Sequence, residues 1–253
     1  MTVPTLARAI GRFVSQLRYP QVPPAAVTLA KLGLADCIAV MVAGNREQAV
    51  ATLHATLTTL GGPAESTLYF GRERMSAPSA AWLNSTAGHV LDYDDVALGH
   101  PSVVIVPAIL AEAEAIDASG SDLLTAYIAG YETWMELVTR ERANYQMKGW
   151  HPTPLIGALA AAAACANLHR LDEDAATSAL GLAAAQASGI TGSYGTMAKA
   201  MQVGKAAYNG LISARMAAAG MRAADDALDH ERGFLTAISP AGEVDRERAP
   251  QFG

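Results

Sequence analysis

An alanine-dense apolar run at residues 155–166, Leu-Ile-Gly-Ala-Leu-Ala-Ala-Ala-Ala-Ala-Cys-Ala, most limits what this chain can fold into. Alanine is the best helix former, and its short side chain lets neighbouring helices approach closely. The run is too short to cross a bilayer, which takes roughly 20 residues. Nothing in the sequence offers a sheet to pack against it. Residues 66–70 form the only convincing strand-like piece, and one short strand does not make a sheet. The chain therefore reads as all-α.

Apolar spacing and end signals place the other helices. Leu6, Ile10, Phe13, Val14 and Leu17 share one face of a helix over residues 5–17. Pro24 opens a second helix through about residue 42, ended by Gly44. A third covers residues 46–60 and stops at Gly61-Gly62-Pro63. Further helices are predicted at residues 79–96, 103–116 and from Ser121 or Asp122 to about residue 142. Three more follow at 155–168, from an Asp172 cap through 187, and at 205–219. Residues 188–204 read as irregular and Gly-rich. The prediction is one helical domain over residues 1–240, of eight or nine helices, followed by a loose polar tail at 241–253.

Charge and cysteine content narrow the function. The net charge is −6, from 18 Lys plus Arg against 24 Asp plus Glu. Nucleic-acid binding needs a basic face, so that class is set aside. Cys37 and Cys165 lie far apart in apolar runs and read as core thiols of a reducing compartment. The N-terminus has no signal-peptide pattern, and no membrane span is expected. The expectation is a cytoplasmic protein.

Three polar segments interrupt the helices. The first, His89 to Ser102, gathers Asp92, Asp94, Asp95 and His100 among apolar neighbours. Carboxylates this close repel one another unless a cation or proton lies among them. The second holds Lys148, His151 and Thr153; the third holds Lys199, Gln202 and Lys205. His100-Pro101-Ser102 and His151-Pro152-Thr153 each precede an apolar helix. Proline biases the preceding residue to extended backbone and so fixes where each ring points. Helix N-termini offer free N–H groups suited to carboxylates. A lysine in a desolvated pocket can act as an acid or base. His89, Asp92 and His100 are also conceivable metal ligands, but no HExxH or Cys pair accompanies them. The Asp92-Tyr93-Asp94-Asp95 spacing does not match the DDxxD of helical diphosphate-binding synthases.

Taken together, the segments resemble the MmgE/PrpD family. The matching residues are Leu91-Asp92-Tyr93-Asp94-Asp95, His100-Pro101-Ser102, Gly149-Trp150-His151-Pro152-Thr153, Gly195-Thr196-Met197-Ala198-Lys199 and Gly204-Lys205-Ala206-Ala207. Asn209-Gly210, Ala129-Gly130-Tyr131-Glu132 and Glu231-Arg232-Gly233-Phe234-Leu235 also fit. The resemblance implies a helical domain that forms homodimers and works without metal or organic cofactor on small di- or tricarboxylates, as dehydratase, decarboxylase or epimerase. It implies that His151 and Lys199 exchange protons with the substrate and that Asp92 orients a histidine or a hydroxyl. His100, Ser102, Thr153, Gln202 and Lys205 would bind substrate. Two departures stand out. The family pattern has a histidine where this chain has Gln202, and its members carry a C-terminal α/β lid domain that this sequence does not contain. A separate lid subunit, a carboxylate-binding subunit without catalysis, or an open pocket for a bulkier substrate are the alternatives that follow.

Overall fold

Every helix predicted from apolar spacing is present in the computed structural model, which describes residues 4–252. In chain order they are α1 (Leu6–Gln16), α2 (Pro24–Gly44), α3 (Gln48–Leu60), α4 (Ala77–His89), α5 (Ser102–Ile116), α6 (Gly120–Val138), α7 (Pro152–Leu168), α8 (Glu173–Ala184) and α9 (Met197–Ala218). A short tenth helix, α10 (Phe234–Ile238), was not expected. The strand-like piece shrinks to a two-residue ladder, β1 (Ser66–Thr67) against β2 (Arg74–Met75), antiparallel with Ser66 opposite Met75.

The alanine-dense helix is the centre. Every residue of α7 is buried, and α5, α6, α8 and α9 all pack on it. Leu155, Ile156 and Leu159 each contribute about 1.5–3 kcal/mol by leaving water. The small residues set the spacing: a Cβ built on Gly210 of α9 would lie 2.5 Å from the Ala161 Cβ and 2.7 Å from the Ala158 carbonyl oxygen. Cys37 and Cys165 are buried and unpaired in α2 and α7.

Helix α2 differs from its neighbours. It packs on α4, α5 and α6, yet Leu29, Leu32 and Val42 remain exposed. It is also long and apolar enough to cross a membrane by length and composition, which the short run in α7 is not. Scattered Lys31 and Asp36 hide this from a search for unbroken apolar runs.

Three helix ends fall four or more positions from where they were predicted, and all three shape the site. Helix α4 stops at His89 rather than near residue 96, because Asp92 adopts the left-handed conformation (φ 58°). Aspartate tolerates that region better than most residues, and a left-handed residue cannot continue a helix. Helix α6 stops at Val138, not near residue 142; Ser119 caps its start, with the Asp122 carboxylate returning to Ser119. Helix α9 starts at Met197, eight positions before the predicted Lys205, with the Thr196 hydroxyl accepting from the Ala198 N–H. Gly204 sits inside this helix rather than before it. An interior glycine costs a helix about 1 kcal/mol; here a Cβ would overlap Thr86 and the Trp82 carbonyl of α4, so close packing offsets the cost.

The polar tail has no regular structure, but it makes specific contacts with the helical body. The buried Arg140 guanidinium donates to the carbonyl oxygens of Asp245 (3.0 Å) and Arg248 (2.7 Å), and the Asp245 N–H donates back to the Arg140 carbonyl. The Phe252 ring stacks on Phe13 at 4.1 Å. A buried arginine must satisfy its donors, and after Glu136 takes part of its fork the tail carbonyls take the rest.

Candidate active site

The loop at residues 90–101 carries the first wall. Its three aspartates go to three different places. Asp92 holds the Lys199 ammonium at 2.6 Å, bridging the loop to α9. Asp94 is buried and accepts from His89 Nδ1 (2.8 Å), with His100 Nδ1 at 3.3 Å. Asp95 accepts from the Ser102 N–H and hydroxyl and so caps α5. Gly99 (φ 144°) lets the loop lie on Trp134, whose ring a Cβ there would meet at 2.8 Å. The Trp134 indole N–H donates to the Ala97 carbonyl, and the His100 N–H donates to Thr153 Oγ1, tying the loop to α6 and α7.

The second wall is built by two strands of loop held side by side. The His151 N–H donates to the Gly189 carbonyl, and the Thr191 N–H donates to the Gly149 carbonyl, around a bridge between Trp150 and Ile190. Gly189 must lack a Cβ, since one would overlap the Pro154 ring. From α9, Gln202 reaches both polar groups of Ile190 and also His151. Its Oε1 accepts from the Ile190 N–H (3.1 Å), and its Nε2 lies 3.1 Å from the Ile190 carbonyl and 2.7 Å from His151 Nδ1.

These walls enclose a cavity of about 760 Å³. Asp92, His100, His151, Thr153, Tyr194 and Lys199 line it, with residues 141–146 completing it. The His89 ring stands 5.0 Å from His100 and 5.7 Å from His151, and Tyr194 meets His151 edge-on at 5.0 Å. Burial, reinforced by the charges of His89, Lys199 and His100, pushes the His151 pKa down to about 3. Partial burial pulls Asp92 upward, but the Lys199 hydrogen bond and charge outweigh it and hold the carboxyl below its usual range. His89, Asp92, Asp94 and His100 each bring one donor atom within 4.8 Å of the others, a spacing a cation could bridge. In the structure this wall is matched internally, by the Lys199 ammonium on Asp92 and by the imidazoles on Asp94.

The geometry suits a small polyanion. Lysine, histidine and a helix N-terminus face one space, and the exposed Arg142 lines it with no hydrogen bond or ion pair among the described residues. A sequence profile of the MmgE/PrpD N-terminal domain matches residues 8–247. The chain belongs to the MmgE/PrpD family. It is 33% identical over 168 residues to the cis-aconitate decarboxylase of Homo sapiens, covering 64% of this chain and 35% of that protein. It is 31% identical over 258 residues to the cis-aconitate decarboxylase-like protein oryM of Aspergillus oryzae, covering 95% and 52%. It is 29% identical over 235 residues to the cis-aconitate decarboxylase of Aspergillus terreus, covering 88% and 48%. The chain thus spans about a third to a half of the length of these relatives.

Within this MmgE/PrpD domain the residues singled out from sequence divide into two groups. Asp92, His100, His151, Thr153 and Lys199 come together around the cavity. Ser102, Gln202 and Lys205 do not line it. The Ser102 hydroxyl is buried between Asp95 (2.7 Å) and Tyr127 (2.6 Å). The Gln202 amide is taken up by Ile190 and His151, so it supports a site residue and is not free for a ligand. Lys205 lies over the Tyr208 and Trp82 rings at 3.6 and 4.6 Å, and burial lowers its pKa. Six residues further along the helix than Lys199, it faces α4 instead. Sequence reasoning missed Tyr194 and Arg142. Tyr194 stood in a Gly-rich run whose aromatic could have been noticed; Arg142 was assigned to the end of a helix that stops earlier.

Proposed function

We propose that this chain supplies the acid–base and carboxylate-binding groups of a lyase that acts on a small di- or tricarboxylate, with decarboxylation of a cis-aconitate-like acid as the reaction. The observation that carries the reading is the cavity in which the Asp92–Lys199 pair, His100, His151 and the unpaired Arg142 converge. The names of the relatives, cis-aconitate decarboxylases, support the reaction class.

In this reading Arg142 and His100 hold the carboxylates that stay. The bond to the departing carboxylate breaks and carbon dioxide leaves. Its electron pair shifts through the adjacent double bond onto the carbon beside a second carboxylate, and the Lys199 ammonium delivers a proton there. Asp92 holds that ammonium in place and compensates its charge. Enolate-like charge in the transition state is stabilised by donors already aimed at it. Loss of hydroxide or reprotonation would use the same intermediate, so dehydration and epimerisation are neighbouring chemistries of the same pocket.

The reading predicts carbon dioxide and an unsaturated dicarboxylate from the purified chain with cis-aconitate, followed by proton NMR, and loss of turnover in Lys199→Ala. Product formation at an unchanged rate in that variant would overturn it. A second reading follows from the coverage of the relatives: the domain binds the acid, and turnover needs a lid carried on further sequence or on a separate subunit. Thermal stabilisation by cis-aconitate with no product would favour it. A homodimer belongs to either version, and the exposed Leu29, Leu32 and Val42 of α2 support a covered face there.

A further inference from the structure

We infer that Gln202 is a positioning residue that fixes His151 as the neutral imidazole with its proton on Nε2, which makes His151 a hydrogen-bond donor to the reacting acid and leaves proton exchange to Lys199. Its catalytic consequence rests on the function proposed above; the proton's location does not.

The two ends of a glutamine amide look alike, but their partners here are backbone groups whose roles are fixed. The Ile190 N–H can only donate, so the atom at 3.1 Å from it must be the amide oxygen. The Ile190 carbonyl can only accept, so the atom at 3.1 Å from it must be the amide nitrogen. Turning the amide over would set donor against donor and acceptor against acceptor at once. The nitrogen has two hydrogens; one goes to Ile190 and the other to His151 Nδ1 at 2.7 Å. Nδ1 must therefore carry a lone pair, and a neutral ring then has its proton on Nε2.

The surroundings keep the ring neutral. His89, His100 and Lys199 bring positive charge towards it, Asp92 is the opposing carboxylate and is already held by Lys199, and Tyr194 covers one edge. A proton arriving at Nδ1 would have to break the Gln202 contact. Nε2–H cannot serve as a base because it already holds its proton. It can polarise a carboxylate that is becoming enolate-like, as a preorganised neutral donor. A histidine at position 202, as the family pattern has it, could itself change protonation; glutamine cannot, so the lock is independent of pH.

The test is nitrogen NMR of the intact chain labelled with ¹⁵N-histidine, with His151→Gln used to assign the His151 signals. The expected spectrum shows His151 with an unprotonated Nδ1 and a protonated Nε2, unchanged from pH 5 to pH 9. In Gln202→Glu the carboxylate should accept a hydrogen bond from Nδ1–H, moving the ring proton from Nε2 to Nδ1 and bringing the ring into titration in that range. The same variant should add a histidine limb to any pH–rate profile that the parent lacks. A wild-type His151 that titrates between pH 5 and 9, or that carries its proton on Nδ1, overturns the inference. The wild-type spectrum decides this even if Gln202→Glu fails to fold. Because the spectrum needs no substrate, an inactive protein with a locked His151 would count against the proposed function alone.

Discussion

Replacing Glu112 by glutamine tests the part of the fold that holds α5, α7 and α9 together away from the cavity. Glu112 has no exposed surface and accepts from His169 Nε2 (2.5 Å) and from the Arg215 fork at 2.8–2.9 Å. Arg215 has a second, longer partner in Glu65 at 3.5 Å. Breaking a buried pair by removing one partner costs about 3–5 kcal/mol. Arg215 is partly exposed and keeps Glu65, so water and that carboxylate recover some of the loss, and a value of about 3 kcal/mol is expected. For a chain of this size that lowers Tm by about 6–12 °C. The pH dependence has a definite sign. Burial raises the Glu112 pKa, but the hydrogen bonds from His169 and Arg215 outweigh it and leave the pKa below its usual value. A carboxyl with a depressed folded pKa stabilises above its unfolded value of about 4.3, and that stabilisation disappears as pH falls through the folded value. Urea unfolding of both proteins should therefore show a gap that narrows as pH falls below about 4. A cost under about 1 kcal/mol, or a gap that does not narrow below about pH 4, would refute the network's role.

Gly210→Leu should destabilise by about 1–3 kcal/mol or more through overpacking, since even a Cβ there meets Ala161; unchanged urea unfolding would contradict the close α7–α9 approach. Arg140→Met should loosen the tail, detected as faster proteolysis after residue 239, while thermal scanning reports a loss of about 3 kcal/mol as the buried Glu136 loses Arg140 and keeps Arg248 and the Gln251 N–H. Arg142→Ala should raise KM for a tricarboxylate about ten- to a hundredfold, the worth of a charge-assisted hydrogen bond, with Tm unmoved. Leu29→Glu with Leu32→Glu should shift the sedimentation coefficient to that of a monomer; a dimer that persists would place the interface elsewhere.

The helices were legible because each depends on a local pattern: Leu6, Ile10 and Val14 on one stripe of α1, Asp172 accepting from Ala175 at the start of α8. What could not be read was where a helix ends when tertiary contacts decide it. The glycines at 192, 195 and 204 look alike in sequence. Gly195 has a positive φ in the loop, whereas Gly204 sits inside α9 because α4 presses against it. A local reading takes both as breakers. That one boundary moved Lys199 and Gln202 from an irregular loop onto a helix, three residues apart on a shared face. The same holds for the tail: its polar residues read as solvated, and the buried Arg140, just past the end of α6, gives its carbonyls a reason to stay.

The three aspartates of the 90–101 loop first look like one cation site because sequence shows them side by side. In space they separate, and each does what its partner allows. Asp95 is turned onto the start of α5 and is spent on capping. Asp94 is enclosed by two imidazoles, so it sets where His100 stands. Asp92, held in the left-handed conformation that ends α4, is the one carboxylate of the three that reaches across to α9. Lys199 and Gln202 leave α9 on one face, the first towards Asp92 and the second towards His151. The two walls of the cavity are therefore referenced to a single helix. A change in the register of α9 would move the lysine and the histidine together, which is why the start of that helix at Met197, and not the cluster of charges itself, fixes the geometry of the site.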